Sequence, residues 1–171
     1  MKSAFRTTVL ALTFVFFLSF TFAQKPTTAV ELNNYLADIT DSLYLGGQNW
    51  GTTMVKAKET KNFSSLAASR RTLENFIERK RVDVLTLKDI NGSEKLRLAM
   101  LDLLFIESKM IKEAFLPFEK FNKQTTDADF DRAIAYLQEK ADEETLYLDE
   151  VVGHRTLMAE KMGLRLRKGN N

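Results

Sequence analysis

Long stretches without helix breakers, in which apolar residues recur every three or four positions, constrain the fold of this chain most. Only two prolines, Pro26 and Pro117, and seven glycines interrupt its 171 residues. A spacing of three and four is the period of an α-helix and not the alternation of a β-strand. The chain also has no cysteine, so its stability must come from packing and not from disulfides. We therefore expect an all-α protein.

Four helical segments are predicted, joined by short polar turns that imply antiparallel neighbours. Ser65 and Ser93 are expected to cap the second and third helices, and Thr126 the fourth. Pro117 predicts a kink or a local restart within the third segment. The expected fold is an antiparallel up-down-up-down four-helix bundle. Its helices run over about 28–58, 65–88, 94–122 and 127–162.

The inward faces of these helices follow from the same spacing. The third segment is the most apolar and is expected to be the most buried. The stripe of the first helix consists of Leu32, Leu36, Ile39, Leu43, Trp50, Met54 and Ala57, and that of the fourth of Phe130, Ala133, Ile134, Leu137, Ala141, Leu148, Val152 and Met158.

The first 23 residues have the layout of a secretory signal peptide. Lys2 and Arg6 form a basic start, an apolar run follows, and small residues precede Gln24. The run of about 14 residues is shorter than the roughly 20 that span a bilayer, so cleavage is favoured over anchoring. We expect residues 1–23 to be removed and residues 24–171 to form one exported domain with no transmembrane segment. Its short basic tail after Gly163 is expected to fray.

Removal of this segment changes the charge of the protein. Subtracting Lys2 and Arg6 from 25 basic side chains leaves 23, which equals the 23 acidic ones. A neutral domain gives no support for binding nucleic acid through bulk attraction. The partner is expected to be an unidentified protein, peptide or envelope component.

Catalytic and metal-binding patterns are missing from the sequence. His154 is the single histidine, which cannot supply the two Glu-x-x-His pairs of a di-metal bundle. The acidic residues Asp142, Glu143, Glu144, Asp149 and Glu150 are interpreted as a solvated helix face. No nucleophile, phosphate-loop or dinucleotide motif is found, so no catalytic residue, metal or cofactor is predicted.

The glycines around the only tryptophan are the most unusual local feature. Gly46, Gly47 and Gly51 each weaken a helix by about 1 kcal/mol relative to alanine, which suggests a close neighbour, a kink or a ligand near the backbone. Tyr44, Gly47 and Trp50 are the candidate contacts for a ligand or partner. Packing of Trp50 in the core is the alternative interpretation, and the one we favour.

The second segment carries a basic face. We expect it to pair loosely with acidic residues of a neighbouring helix, for which the fourth helix is the candidate. Binding of acidic lipid is the alternative. Asn62 and Asn91 match the N-glycosylation pattern in predicted turns. The basic face consists of Arg70, Arg71, Arg79, Lys80 and Arg81.

Three segments resemble a family of small, cysteine-free, exported bacterial surface proteins of unknown function. They are Tyr35 with Ile39, the run from Leu96 to Phe115, and the run from Leu148 to Leu166. The resemblance implies a signal peptide followed by a helical bundle and brings no catalytic residues. The stretch from Gly46 to Gly51 departs from the plain charged helix expected there.

Taken together, these patterns predict an exported, non-enzymatic helical bundle that acts as a binding or envelope-associated surface protein. One alternative is a carboxylate-based metal-binding or enzymatic bundle. A second alternative is an adaptor that binds anionic lipid or the envelope through the basic helix face.

Overall fold

The computed structural model describes residues 25–163. The predicted signal peptide, residues 1–23, its cleavage before Gln24, and the predicted frayed tail, residues 164–171, lie outside the described residues. The all-α prediction is confirmed, with four helices that pack against each other. They are α1 (Ala29–Thr60), α2 (Leu66–Leu85), α3 (Glu94–Met110) and α4 (Asp127–Lys161).

Of the three predicted helix caps one forms and two do not, and α1 begins with a further cap. Thr28 begins α1 with a capping box, in which its Oγ1 accepts from the backbone N–H of Glu31 while the Glu31 side chain accepts from the Thr28 N–H. Thr126 caps α4 by accepting from the N–H of Asp129. The predictions for Ser65 and Ser93 are wrong, because neither side chain caps its helix. The Ser93 hydroxyl instead accepts from the Ile90 N–H within the preceding turn.

The third segment is not one continuous helix to residue 122. α3 ends at Met110 and is followed by a π-helical turn, Ile111–Phe115, and a 3₁₀ turn, Leu116–Lys120. Pro117 lies at the start of that 3₁₀ turn. A proline has no backbone N–H and clashes with the preceding helical turn, so the α-helical ladder cannot continue through it. The local restart expected at Pro117 takes this form.

Side-chain hydrogen bonds join α1 to α2, and α4 to the segment that follows α3. The Tyr35 hydroxyl, near the start of α1, donates to Asp83 near the end of α2 over 3.1 Å. The Tyr136 hydroxyl, in the first part of α4, donates to Glu113 just beyond α3 over 3.3 Å. In each pair a residue in the first part of one helix meets a residue at or just beyond the end of the other.

Aromatic side chains fill one end of the core. Trp50 is only 2% exposed, and its ring stacks on Phe115 with centroids 3.9 Å apart. Phe118 meets the edge of the same indole at 5.4 Å. The core packing expected for Trp50 is therefore what the structure shows. Phe118 continues into a cluster with Phe63, Phe121 and Phe130.

The predicted inward stripe of α4 is displaced by one residue near its end. Val152 is 46% exposed, whereas Val151 is fully buried. Spacings of three and four both fit a helix of 3.6 residues per turn, and the sequence pattern does not say which applies at each step. The step from Leu148 to the next core position is three residues and not the four that were assumed.

The basic face of α2 pairs with α2 itself and with the 3₁₀ turn. Arg70 is only 8% exposed and forms ion pairs with Glu74, one helical turn away, and with Glu119 of the 3₁₀ turn. Arg81 pairs with Glu78 at 3.2 Å. The expectation that α4 supplies the acidic partners is thus wrong, because the 3₁₀ turn brings Glu119 over the start of α2.

None of the helices within residues 25–163 combines the length and the apolarity needed to cross a membrane.

Candidate functional site

A cavity of about 250 Å³ lies between the helices and is the candidate functional site. All four helices contribute to its wall, together with the π-helical turn. Five residues come from α1, and Leu73 is the contribution of α2. The lining consists of Thr40, Leu43, Tyr44, Gly47, Gln48, Leu73, Leu103, Glu107, Met110, Phe115, Glu144 and Leu148.

The cavity lies where the middle of α1 faces α4. Near one end of this pair Arg155 donates to Asn33 over 3.2 Å. Near the other end Lys58 approaches Asp131 to 3.8 Å. The lining residues of α1 and α4, such as Gly47, fall between these two contacts in the sequence.

Two adjacent glycines have opposite surroundings. A Cβ at Gly46 would lie 2.6 Å from Cδ1 of Leu73, so the missing side chain lets α1 and α2 approach closely. A Cβ at Gly47 would meet nothing within 4 Å, because this position faces open space. Gly46 therefore serves helix packing, whereas Gly47 leaves room in the cavity wall.

Most of the wall is apolar, and its outer edge is polar. Leu43, Leu73, Leu103, Met110 and Phe115 are all buried. At the surface of α1, Tyr44 is 67% exposed and Gln48 is exposed as well. The space is therefore reached from solvent beside Tyr44 and Gln48.

A pair of carboxyl groups interrupts the apolar wall. Glu107 of α3 is only 5% exposed, and Glu144 of α4 is half-buried. Both side chains line the same cavity, Glu107 from α3 and Glu144 from α4. They lie close enough for each carboxyl group to shift the pKa of the other.

Burial shifts both groups toward their protonated forms. Burial, followed by the charge of Glu144 and the hydrogen bond to it, raises the pKa of Glu107 to about 9. Burial also raises the pKa of Glu144, although the hydrogen bond with Glu107 acts in the opposite direction. The pair therefore tends to retain a proton in the folded protein.

The nearby lysines are engaged elsewhere. Lys140 of α4 pairs with Glu143 at 2.9 Å, and Lys109 of α3 approaches the same carboxylate to 3.9 Å. Of the described residues that line the cavity, none carries a positive charge. The carboxyl pair thus faces the cavity without a counter-ion from its wall.

Of the three residues that were predicted to contact a ligand, two line the cavity and one does not. Tyr44 and Gly47 both line the cavity. Trp50 lies one turn farther along α1 and does not line it. Its indole N–H has no hydrogen-bond partner, and its ring stacks on the cavity residue Phe115.

The sequence reasoning missed both carboxyl groups. Glu107 lies four residues after Leu103 and three before Met110, which is the spacing of the buried stripe. Glu144 was assigned to a solvated acidic face, and this is wrong because Glu144 lies four residues before Leu148 on the inward side of α4. A carboxylate at a core spacing on each of two helices was the available signal.

The geometry of the acidic side chains bears on whether they could hold a metal ion. No three histidine, aspartate or glutamate side chains converge as a metal site within residues 25–163. His154 lies 3.7 Å from Glu150, one turn earlier on α4.

No protein-family model, no curated protein and no solved structure matches this chain.

Proposed function

We propose that this protein is an exported, non-enzymatic binding protein that holds a small, largely apolar ligand between its helices. In this proposal an up-down-up-down bundle follows a cleaved signal peptide, residues 1–23, and acts in the envelope or at the cell surface. The observation that carries the proposal is the cavity of about 250 Å³, open beside Tyr44 and lined by all four helices.

The size and lining of the cavity support a small ligand. An apolar cavity of about 150 Å³ holds benzene in another protein. The present cavity therefore accommodates one ring with a short side chain. Ligand sites are typically apolar with a few polar groups that fix orientation, and Glu107, Glu144 and Thr40 are such groups here.

The enzymatic alternative has less support. No third histidine, aspartate or glutamate joins Glu107 and Glu144 as a metal site within residues 25–163. Two carboxylates also fall short of the three or more protein ligands of a catalytic metal. Stoichiometric iron, manganese or zinc in the purified protein would favour this alternative over the proposed binding function.

The alternative of an adaptor that binds anionic lipid through the basic face of α2 also has less support. Arg70 is buried and its charge is compensated by Glu74 and Glu119. Arg71 and Arg79 remain exposed. Co-flotation of the protein with liposomes only when these contain anionic lipid is the result that would favour this alternative.

Benzyl alcohol is a suitable first probe for the cavity. Calorimetric titration of the purified protein should show binding with a dissociation constant of about 1 mM or tighter, as expected for a fragment of this size. Gly47→Leu should abolish it by filling the space with a side chain. Gly51→Leu is the matched control, because Gly51 also has open space around its Cβ position but does not line the cavity.

The outcomes separate the possibilities. Binding that survives in Gly51→Leu and disappears in Gly47→Leu supports the proposal. Binding of similar strength in all three proteins places the ligand elsewhere, and an absence of binding to the wild type rejects the cavity as a site for this class of ligand.

Export is tested separately. The intact mass of protein recovered from the envelope or the medium should correspond to a chain that begins at Gln24. A mass that retains Met1 to Ala23 would contradict the proposed cleavage.

A further inference from the structure

The carboxyl pair narrows the chemistry of the ligand, on the basis of the binding function proposed above. We infer that the ligand is a small monoamine, whose ammonium group binds Glu107 and Glu144 while its apolar body contacts Leu43, Leu73 and Leu103. This inference rests on the two carboxyl groups in the wall of an otherwise largely apolar cavity.

Charge complementarity is the first argument. A buried carboxylate is stable only with an opposite charge or with several donors. Glu107 is only 5% exposed, and none of the described residues that line the cavity offers a positive charge to Glu107 or Glu144. An ammonium group has three N–H donors and a positive charge, and thus supplies what the cavity wall lacks.

The arrangement of the lining is the second argument. Glu107 projects from α3 and Glu144 from α4, so both acids belong to one side of the cavity. Leu43 and Leu73, from α1 and α2, are buried and apolar. A molecule with one charged end and one apolar end matches this division, whereas a diamine would place a second charge against leucine side chains.

Proton exchange follows from this contact. An ammonium group beside the carboxyl groups stabilises their ionised forms, so its binding favours the release of protons to solvent. Of the other lining residues only Tyr44, on α1, has an ionisable side chain, and α2 contributes none. Lys109, Lys140 and Glu143 lie nearby and compensate one another. Protons therefore compete with the amine, and its affinity should fall as the pH is lowered.

Benzylamine and benzyl alcohol provide a matched pair of probes. They share the ring and the linker and differ in a charged ammonium group against a neutral hydroxyl. We expect benzylamine to bind the wild type at least about tenfold more tightly than benzyl alcohol at neutral pH. The reason is that hydrogen bonds to charged groups are stronger than those between neutral groups. The preference should disappear in the double variant Glu107→Gln and Glu144→Gln, which keeps the shapes of both side chains.

Glu143→Gln is the control for general charge effects. It removes one negative charge from α4 but does not alter the cavity wall. The preference for benzylamine should persist in this variant. A preference lost equally in Glu143→Gln and in the double variant would show only long-range attraction and would overturn the inference.

The experiment distinguishes failure of the inference from failure of the proposed function. If benzylamine and benzyl alcohol bind the wild type equally and Gly47→Leu removes both, the cavity binds ligands but the amine assignment is wrong. If neither binds, both proposals are wrong. Should the double variant fold poorly, Glu144→Gln alone must still reduce the preference for benzylamine, because it removes one of the two carboxyl groups from the cavity wall.

Discussion

Glu107 on α3 and Glu144 on α4 both lie in the wall of one largely apolar cavity, and among residues 25–163 no positively charged side chain lines it. Two like-charged groups in such a place weaken the folded state when both ionise. Stability alone therefore does not explain why the pair is present. The amount by which it lowers the free energy of unfolding can be measured.

The first prediction concerns the dependence of stability on pH. Burial and the neighbouring Glu144 raise the pKa of Glu107 from its ordinary 4.5 to about 9 in the folded protein. Between these two pH values the folded state thus retains a proton that the unfolded chain releases. The contribution of Glu107 to the free energy of unfolding is therefore highest below about pH 4.5 and falls until about pH 9. One such group contributes a slope of about 1.4 kcal/mol per pH unit.

Urea unfolding at several pH values tests this prediction. Glu107→Gln keeps the size of the side chain but does not titrate, so its free energy of unfolding should fall less steeply between pH 5 and 9 than that of the wild type. Glu143→Gln is the opposite case, because the hydrogen bond from Lys140 lowers the pKa of Glu143, and the stability it contributes is lost only in acid. Parallel curves for wild type and Glu107→Gln would refute the shift.

The second prediction uses the three glycines of α1. Gly47→Ala and Gly51→Ala should each raise the free energy of unfolding by about 1 kcal/mol, because both positions have open space and alanine is the better helix former. Gly46→Ala should lack this gain and be at least about 1 kcal/mol less stable than Gly47→Ala, since its methyl group would overlap with Leu73.

A double variant checks the cause. When Gly46→Ala is combined with Leu73→Ala, the overlap is removed and the combined loss should be smaller than the sum of the single losses. Additive losses would show that Leu73 is not what limits the side chain at position 46.

The third prediction concerns the buried arginine of α2. Arg70→Ala should lower the free energy of unfolding by about 3 kcal/mol, because it leaves the largely buried Glu119 without its cation. Arg71→Ala, at the neighbouring exposed position, should change it by less than about 0.5 kcal/mol. Equal effects in chemical denaturation would mean that the ion pair with Glu119 contributes nothing.

The fourth prediction concerns fluorescence. Trp50 is the only tryptophan in the chain, and it stacks on Phe115, which lines the cavity. A ligand against Phe115 should therefore change the intensity or the wavelength of Trp50 emission in the wild type and in Gly51→Leu, but not in Gly47→Leu. An unchanged emission in a sample that calorimetry shows to be saturated would place the ligand away from Phe115.

Helix periodicity was sufficient to predict the four helices, and Pro117 marked where the third one is interrupted. The site was only partly predictable. Tyr44 and Gly47 were selected because glycines near an aromatic residue are unusual in a helix, and both line the cavity. Trp50 was selected for the same reason but is buried in the core. Sequence spacing does not distinguish a core aromatic residue from one that lines a cavity.

Glu107 and Glu144 could not be paired from the sequence, since they are 37 positions apart on separate helices. Their contact depends on how α3 and α4 are aligned. That alignment is set by packing and by contacts such as Tyr136 with Glu113, which no local pattern reveals. The partners of Arg70 were missed for a similar reason, because Glu119 reaches it only through the 3₁₀ turn.

The central claim is that a small amine occupies the cavity between α1 and α4, and its most direct test is an NMR measurement of contacts between ligand and protein. With benzylamine at saturation, the ring protons should show nuclear Overhauser effects to the methyl groups of Leu73 and Leu103, and the methylene protons should show them to Glu107 or Glu144. Contacts confined to exposed residues, such as Leu146 or Leu157, would contradict the claim.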